Sequence, residues 1–443
     1  MMRHDEESQV TQEQEVIKRA RDEIEKRTGK TPEQLYAERE KRVTDTIQLK
    51  VPDRMPVYLR GAFAARYAGI SPSARFYDRA AYRDAYIKTI LDFEPDVMFG
   101  DSGTGPSGLA MEKLDTKQYQ WPGGPLRPDQ PAQFLEMEIM KEDEYDLFIT
   151  DPGDFILRYY LPRVWKALEP IGNLPRLLSL VGSTSMASQS ARFSSPEIIQ
   201  AFEVIFEAGQ EQAKFNQLQE VGRAIGTPPL LTSRAGDAIA PFDFIADSLR
   251  GMRGIAVDMF KQPEKLHTAM ERLLEYWQAR AFPADPSGEG GTERVFGGMS
   301  HWCDESFLTK KQYETFFWPT CKKSLLATIE LGFIPLPHPE GNMDDRIECF
   351  LEMPKGKILL WNEILDVVRA KEILGGHVCF MGGVPASLLW SGSPQEVEEY
   401  CKNIIKICGK GGGFILSCAG GEENAKPANV KAMVDAVKKY GRY

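Results

Sequence analysis

Two residues apart, His338 and Glu340 sit on a segment that reads as extended, so both side chains can point the same way. Together with Cys418 they offer an imidazole, a carboxylate and a thiolate. Three protein ligands with one open position is the pattern of a catalytic zinc site. Histidine and thiolate favour zinc over magnesium or calcium. The same residues fit a second chemistry: a hydrogen-bonded His338–Glu340 pair that binds substrate, with Cys418 as a small buried apolar group. His301 and Cys303 repeat the His-x-Cys spacing, and His301 is the acid–base candidate of that pair. Asp101 and Glu363, each at the end of an apolar run, are further candidates for proton transfer. Arg60 and Arg66 can hold an anionic substrate group, and Asp304, Trp361 and Asn362 complete the expected substrate-binding set. His377 and Cys379 look metal-like, but they begin a strand, and the Lys410-Gly411-Gly412-Gly413 run precedes one. Neither is expected to take part in the chemistry.

Such distant residues meet only if the chain returns them to one place. Eight short apolar runs read as strands, at 56–60, 96–100, 177–182, 294–299, 333–338, 357–362, 377–382 and 414–418. Continuous apolar runs suit parallel strands buried on both faces. Helical patterns separate them. SPQEVEEYCKNIIKIC at 393–408 opens with serine as cap and proline behind it, then spaces apolar groups three and four apart. Eight strand–helix units predict an α/β fold, a (β/α)8 TIM barrel whose active site lies at the C-terminal ends of the strands. About 76 residues separate the second and third predicted strands and about 111 the third and fourth, so long insertions are expected after strands 2 and 3. Residues 1–50 form a charged N-terminal helical arm, with Thr31-Pro32-Glu33 as a helix start, expected to be solvated. Residues 51–443 form the barrel.

The 443 residues carry 54 basic and 64 acidic side chains, a net charge of −10. That balance argues against nucleic acid and acidic membrane surfaces as partners. No apolar stretch is long enough to span a bilayer, and the first residues lack the apolar core of a secretory signal. Seven cysteines, an odd number spread over 303–418, make no disulfide framework. A cytoplasmic protein with reduced thiols is the expectation.

Longer passages add a resemblance. HPEGN at 338–342, HVCFMGGVPASLLWSGSPQEVEEYCKNIIKICGKGGGFILS at 377–417 and AKPANVKAMVDAVKKYG at 425–441 resemble the uroporphyrinogen decarboxylase superfamily. FGD at 99–101, LSLVGSTSMA at 178–187 and FLTKKQYETFFWP at 307–319 look like its second, third and fourth strand regions. The resemblance implies a (β/α)8 barrel and places the chain nearest in kind to the corrinoid-dependent methyltransferases. The decarboxylases carry an Arg-Gln-Ala-Gly-Arg-Tyr motif on the first strand; here Arg60 and Arg66-Tyr67 are spaced differently, and Cys418-Ala419-Gly420 stands where their last histidine would be. The methyltransferases bind zinc through His-x-Cys and a later cysteine; this chain matches with His338 and Cys418 but has Glu340 at the middle position. APFDFIADSLRGMRG at 240–254 marks a branch whose reaction these residues do not name.

The expectation is therefore a methyltransferase that moves a methyl group between a small substrate and a corrinoid on a partner protein, assisted by zinc, as a homodimer. A cofactor-free decarboxylase using Arg60, Arg66 and Asp101 is the alternative. A barrel kept only for binding or assembly is the third.

Overall fold

The structure, a computed structural model, describes residues 2–99, 106–214, 218–230, 240–279, 291–364, 366–418 and 420–443. Nine strands occur among them: β1 (Tyr58–Arg60), β2 (Val97–Phe99), β3 (Tyr119–Gln120), β4 (Gln133–Phe134), β5 (Val295–Ser300), β6 (Ile334–Pro339), β7 (Leu359–Trp361), β8 (Cys379–Val384) and β9 (Phe414–Cys418). β3 and β4 form a small antiparallel pair apart from the rest.

The other seven strands lie in one parallel row. β5 pairs with β6, β7 with β8, β8 with β9, and β1 with β2, all parallel. The Glu363 N–H donates to the Pro339 carbonyl at 3.3 Å, which joins β6 to β7. The Leu416 N–H donates to the Pro56 carbonyl at 3.0 Å and joins β9 to β1. The fold is thus mixed α/β with parallel strands, and seven of the eight predicted strands are observed within a few residues of their expected positions.

Alternation along these strands sorts the side chains into two layers. Tyr58, Val97, Val295, Ile334, Leu336, Leu359, Trp361, Cys379, Met381 and Ile415 share one cluster inside the row. Val57, Leu59, Phe296, Leu360, Phe380, Phe414, Leu416 and Cys418 face the helices on the other side.

Two sequence expectations fail here. Residues 177–182 are not a strand: Leu177–Leu180 is a 3-10 turn, and Leu178 and Val181 are 81% and 74% exposed. A six-residue apolar run carries no information about what covers it, and nothing covers this one. Leu230 instead joins the inner cluster with Val97 and Val295, behind a Thr-Pro-Pro sequence that reads as a turn. The expected insertions after strands 2 and 3 therefore merge into one that runs from β2 toward Leu230.

The N-terminal arm is not wholly solvated either. It forms α1 (Met2–Thr28) and α2 (Pro32–Ile47), the second opened by Thr31 in a reciprocal capping box with Gln34 and by Pro32 in the first turn. Ala20 and Ile24 of α1 are buried in the helix-facing core. Val43 and Ile47 of α2, wholly buried, enter the inner cluster of the strands. Arg42 ties α2 down, with hydrogen bonds to Asp53 at 2.7 and 2.6 Å and to the fully buried Asp96 at 2.6 Å. Asp96 also accepts from Arg54 and from the Val57 N–H. Burial would raise the Asp96 carboxyl, but the two guanidinium groups outweigh it and hold it below the usual range.

Candidate active site at the strand ends

β6 delivers His338 to the inner face, in step with Ile334 and Leu336. Its ring lies flat on Trp361 of β7, with centroids 3.9 Å apart and planes 1° from parallel. The Arg60 guanidinium covers the Trp361 ring from 5.1 Å, and Tyr58 meets it edge-on at 5.4 Å. Glu363, just past β7, brings one carboxylate oxygen to 3.5 Å from His338 Nε2 and 4.0 Å from Arg60 Nη1. Gly420 leaves room for that carboxylate, because a Cβ there would stand 2.5 Å from Glu363 Oε1. Burial lowers the His338 pKa against the pull of Glu363, which favours the uncharged imidazole.

A second cluster adjoins it. His301, beyond β5, pairs through Nδ1 with Asp247 Oδ2 at 2.6 Å, and its Nε2 lies 3.7 Å from Glu340 Oε2. Trp302 Nε1 donates to the other oxygen of Asp247. The fully buried Asp243 accepts the backbone N–H groups of His301 at 2.7 Å and Trp302 at 3.2 Å, which fixes the loop. Burial works against a charged His301, but the hydrogen bond and charge of Asp247, then Glu340 and Asp243, prevail and lift it to about 9. Burial and the neighbouring Asp247 push Asp243 to about 8. Burial also raises Glu340, with His301 pulling the other way. At neutral pH the arrangement offers an imidazolium with its proton held between two carboxylates.

Asp243 and Asp247 were not among the expected site residues. They stand four apart in the 240–254 stretch, on a helix (Pro241–Ile245) that widens to a π-turn (Ala246–Arg250), a geometry common at functional sites. Their spacing was visible in the sequence; what they face was not.

Several expected residues are engaged elsewhere. Cys418 shares the parity of Phe414 and Leu416, so it points to the helix layer, and its thiol donates to the Gly420 carbonyl at 3.0 Å. Burial raises its pKa and disfavours the thiolate a metal would need. His338 and Glu340 therefore do not form a ligand set with Cys418, and among the described residues no three His, Cys, Asp or Glu side chains are arranged to hold a metal ion. Arg66 donates to the Ala425 carbonyl at 3.3 Å. Asp304 caps the turn at Ser306, with a 2.6 Å bond from its N–H. Asn362 ties the Gly341 carbonyl at 3.0 Å to the Ile364 N–H at 2.9 Å. His377 binds the Met353 carbonyl at 2.7 Å, where its strand begins. Asp101 lies outside the described residues.

Residues 231–440, just under half of the chain, match the family model described as uroporphyrinogen decarboxylase (URO-D). This C-terminal part of the chain is thus similar to the uroporphyrinogen decarboxylase family. The site residues from Asp243 to Gly420 fall within the matched stretch, whereas Tyr58 and Arg60 precede it. No curated protein matches the chain. Among solved structures, a methyltransferase from Methanosarcina mazei is similar with a TM-score of 0.54 and 12% identity, over 91% of this chain and 98% of that one. At that identity the likeness speaks for the fold. No helix among the described residues is long and apolar enough to cross a membrane.

Proposed function

We propose that this chain is a methyltransferase of the uroporphyrinogen decarboxylase family, moving a methyl group between a small substrate and a corrinoid carried by a partner protein. The seven-strand row, together with the stretch that carries Leu230, is read as a (β/α)8 barrel whose C-terminal mouth holds the site. The observation that carries the reading is His301, held protonated between Asp247 and Glu340 beside Arg60 and Glu363. A heteroatom that loses a methyl group needs a proton, and an imidazolium of pKa about 9 holds one at neutral pH. Asp247 stabilises that charge and fixes the ring, and Glu340 orients the Nε2 edge toward the mouth. His338 and Trp361 form a flat floor, over which Arg60 and Glu363 place the substrate. The corrinoid, when presented by its partner, supplies the group that accepts or delivers the methyl. No step passes through zinc, since Cys418 faces the other layer.

The decarboxylase alternative is less well supported. Arg66 is spent on a backbone carbonyl, which leaves Arg60 among the expected arginines to meet a carboxylated substrate. The test is a methyl-transfer assay with a reduced corrinoid protein and a panel of thiol, ether and amine donors. Transfer that drops on the order of a hundredfold in H301Q supports the reading. No transfer from any donor would refute it, and carbon dioxide release without a corrinoid protein would favour the lyase.

A further inference from the structure

The backbone ladder that aligns the strand ends stops at the two carboxylates of the site. Its last rungs run from the Glu340 N–H to the Ser300 carbonyl at 3.2 Å and from the Glu363 N–H to the Pro339 carbonyl. Beyond these rungs, side chains must hold the loops after β5, β6 and β7 together.

Asn362 does so from inside. It is 1% exposed, and both ends of its amide are engaged. Nδ2 donates across the gap to the Gly341 carbonyl at 3.0 Å, and Oδ1 accepts the Ile364 N–H at 2.9 Å in a local turn. The opposite orientation of the amide would satisfy neither bond, so its partners fix the assignment. Gly341 directly follows Glu340, and Glu363 lies inside the turn from Asn362 to Ile364. The bridge therefore clasps the backbone beside each carboxylate: Glu340, 3.7 Å from His301 Nε2, and Glu363, 3.5 Å from His338 Nε2.

The far side of Gly341 is walled. A Cβ there would stand 2.1 Å from the Cβ of Asp304, in the loop just past His301. The same two loops are tied again next door. Asn342 Nδ2 donates to Glu305 Oε1 at 2.9 Å, and the Glu305 N–H donates to the Asn342 carbonyl at 3.2 Å. Gly341 is thus held between the loop that carries His301 and the amide of Asn362.

We propose that Asn362 is a positioning residue, whose bridge to Gly341 sets the separation of the β6 and β7 loops and so keeps Glu340 on His301 and Glu363 on His338. A substrate ligand would turn part of its amide to the mouth, whereas Asn362 spends both ends on the protein. Both carboxylate–imidazole contacts are longer than a charge-assisted hydrogen bond, so each acts through space and weakens as its gap widens. Asn362 acts in this way on the site proposed above, whichever reaction that site carries out.

Nitrogen-15 titration of the histidine side chains in the full chain, with no corrinoid or methyl donor present, tests it on N362S and G341A. Serine can still accept the Ile364 N–H, but its shorter side chain does not reach Gly341. The methyl group of G341A presses on Asp304 and displaces the β6 loop with Asn362 intact. The groups facing His301 are Asp243 and Asp247 from the 240–254 stretch and Glu340; those facing His338 are Glu363, Arg60 and His301. In both variants His301, at about 9 in wild type, should titrate about half a pH unit lower as Glu340 withdraws. In N362S His338 should also titrate lower, as Glu363 withdraws. S393A, which removes the cap of the Pro394–Cys408 helix, costs stability alone and should move neither imidazole. Histidines that titrate as in wild type in N362S and G341A overturn the proposal, and so does an equal shift in S393A. An N362S enzyme that differs only in a raised KM would be the mark of a substrate ligand and overturns it too. If N362S does not fold, G341A decides together with the Asn362 amide protons of wild type: rapid exchange of those protons refutes the bridge, and slow exchange with a lowered His301 supports it. A failed methyl-transfer assay bears on the reaction alone, because the titration uses neither donor nor acceptor.

Discussion

Replacing Asp247 by asparagine isolates the cause of the His301 charge. The wild-type imidazole, at about 9 against an ordinary 6.5, has Asp247 at 2.6 Å on one nitrogen and Glu340 at 3.7 Å on the other. A rise of that size corresponds to ~3.4 kcal/mol in favour of the charged form. With the side chain 35% exposed, solvent screening reduces its worth to stability to roughly 1–2 kcal/mol. In D247N burial is opposed mainly by Glu340, so the His301 pKa should drop to about 6.5. At pH 8 the protonated fraction then falls from roughly nine-tenths to a few hundredths. Because the folded-state value is raised, the His301 contribution is fully present below pH 6.5 and is lost as pH climbs through about 9. D247N should lack that part of the decline. The assay is a nitrogen-15 NMR titration of histidine side chains, tractable with five histidines and assigned through H301N. A His301 resonance in D247N that still titrates above pH 8 would refute the argument, and with it the role of Asp247 in keeping the proton.

Further outcomes follow from other contacts. I47A should lower unfolding free energy by ~2–5 kcal/mol in denaturant titrations, because the side chain is wholly buried in the inner cluster; an effect below ~0.5 kcal/mol would mean that α2 does not close the strands. D96N leaves two guanidinium groups facing a neutral amide and should cost ~3–5 kcal/mol. The depressed Asp96 pKa also means that this stabilisation is present above about pH 3.9 and is lost as pH falls through the lower folded-state value, so acid unfolding of D96N should be shallower than that of wild type. G420A places a Cβ against Glu363 and should reduce turnover on the order of a hundredfold; unaltered turnover would remove Glu363 from the site.

Much of the fold was legible because it is written in periodicity. Four clear apolar runs, at 333–338, 357–362, 377–382 and 414–418, became β6, β7, β8 and β9, and the helix with a predicted serine cap appears as Pro394–Cys408, capped by Ser393. The run at 177–182 misled because apolar composition alone does not say what packs against it. In the site, His301, His338, Glu340, Glu363, Arg60 and Trp361 were named from their positions at strand ends, and these do gather.

Residue type and strand position were thus set by the sequence alone, since local alternation and capping act over a few residues. Which face each residue takes in the parallel row was decided only in three dimensions. Cys418 lost its expected role to a single step of parity along β9, whereas Asp247 gained one because a helix from the 240–254 stretch lays it against His301. Ionisation belongs to the same level: carboxylates distant in the chain, acting against burial, hold His301 charged.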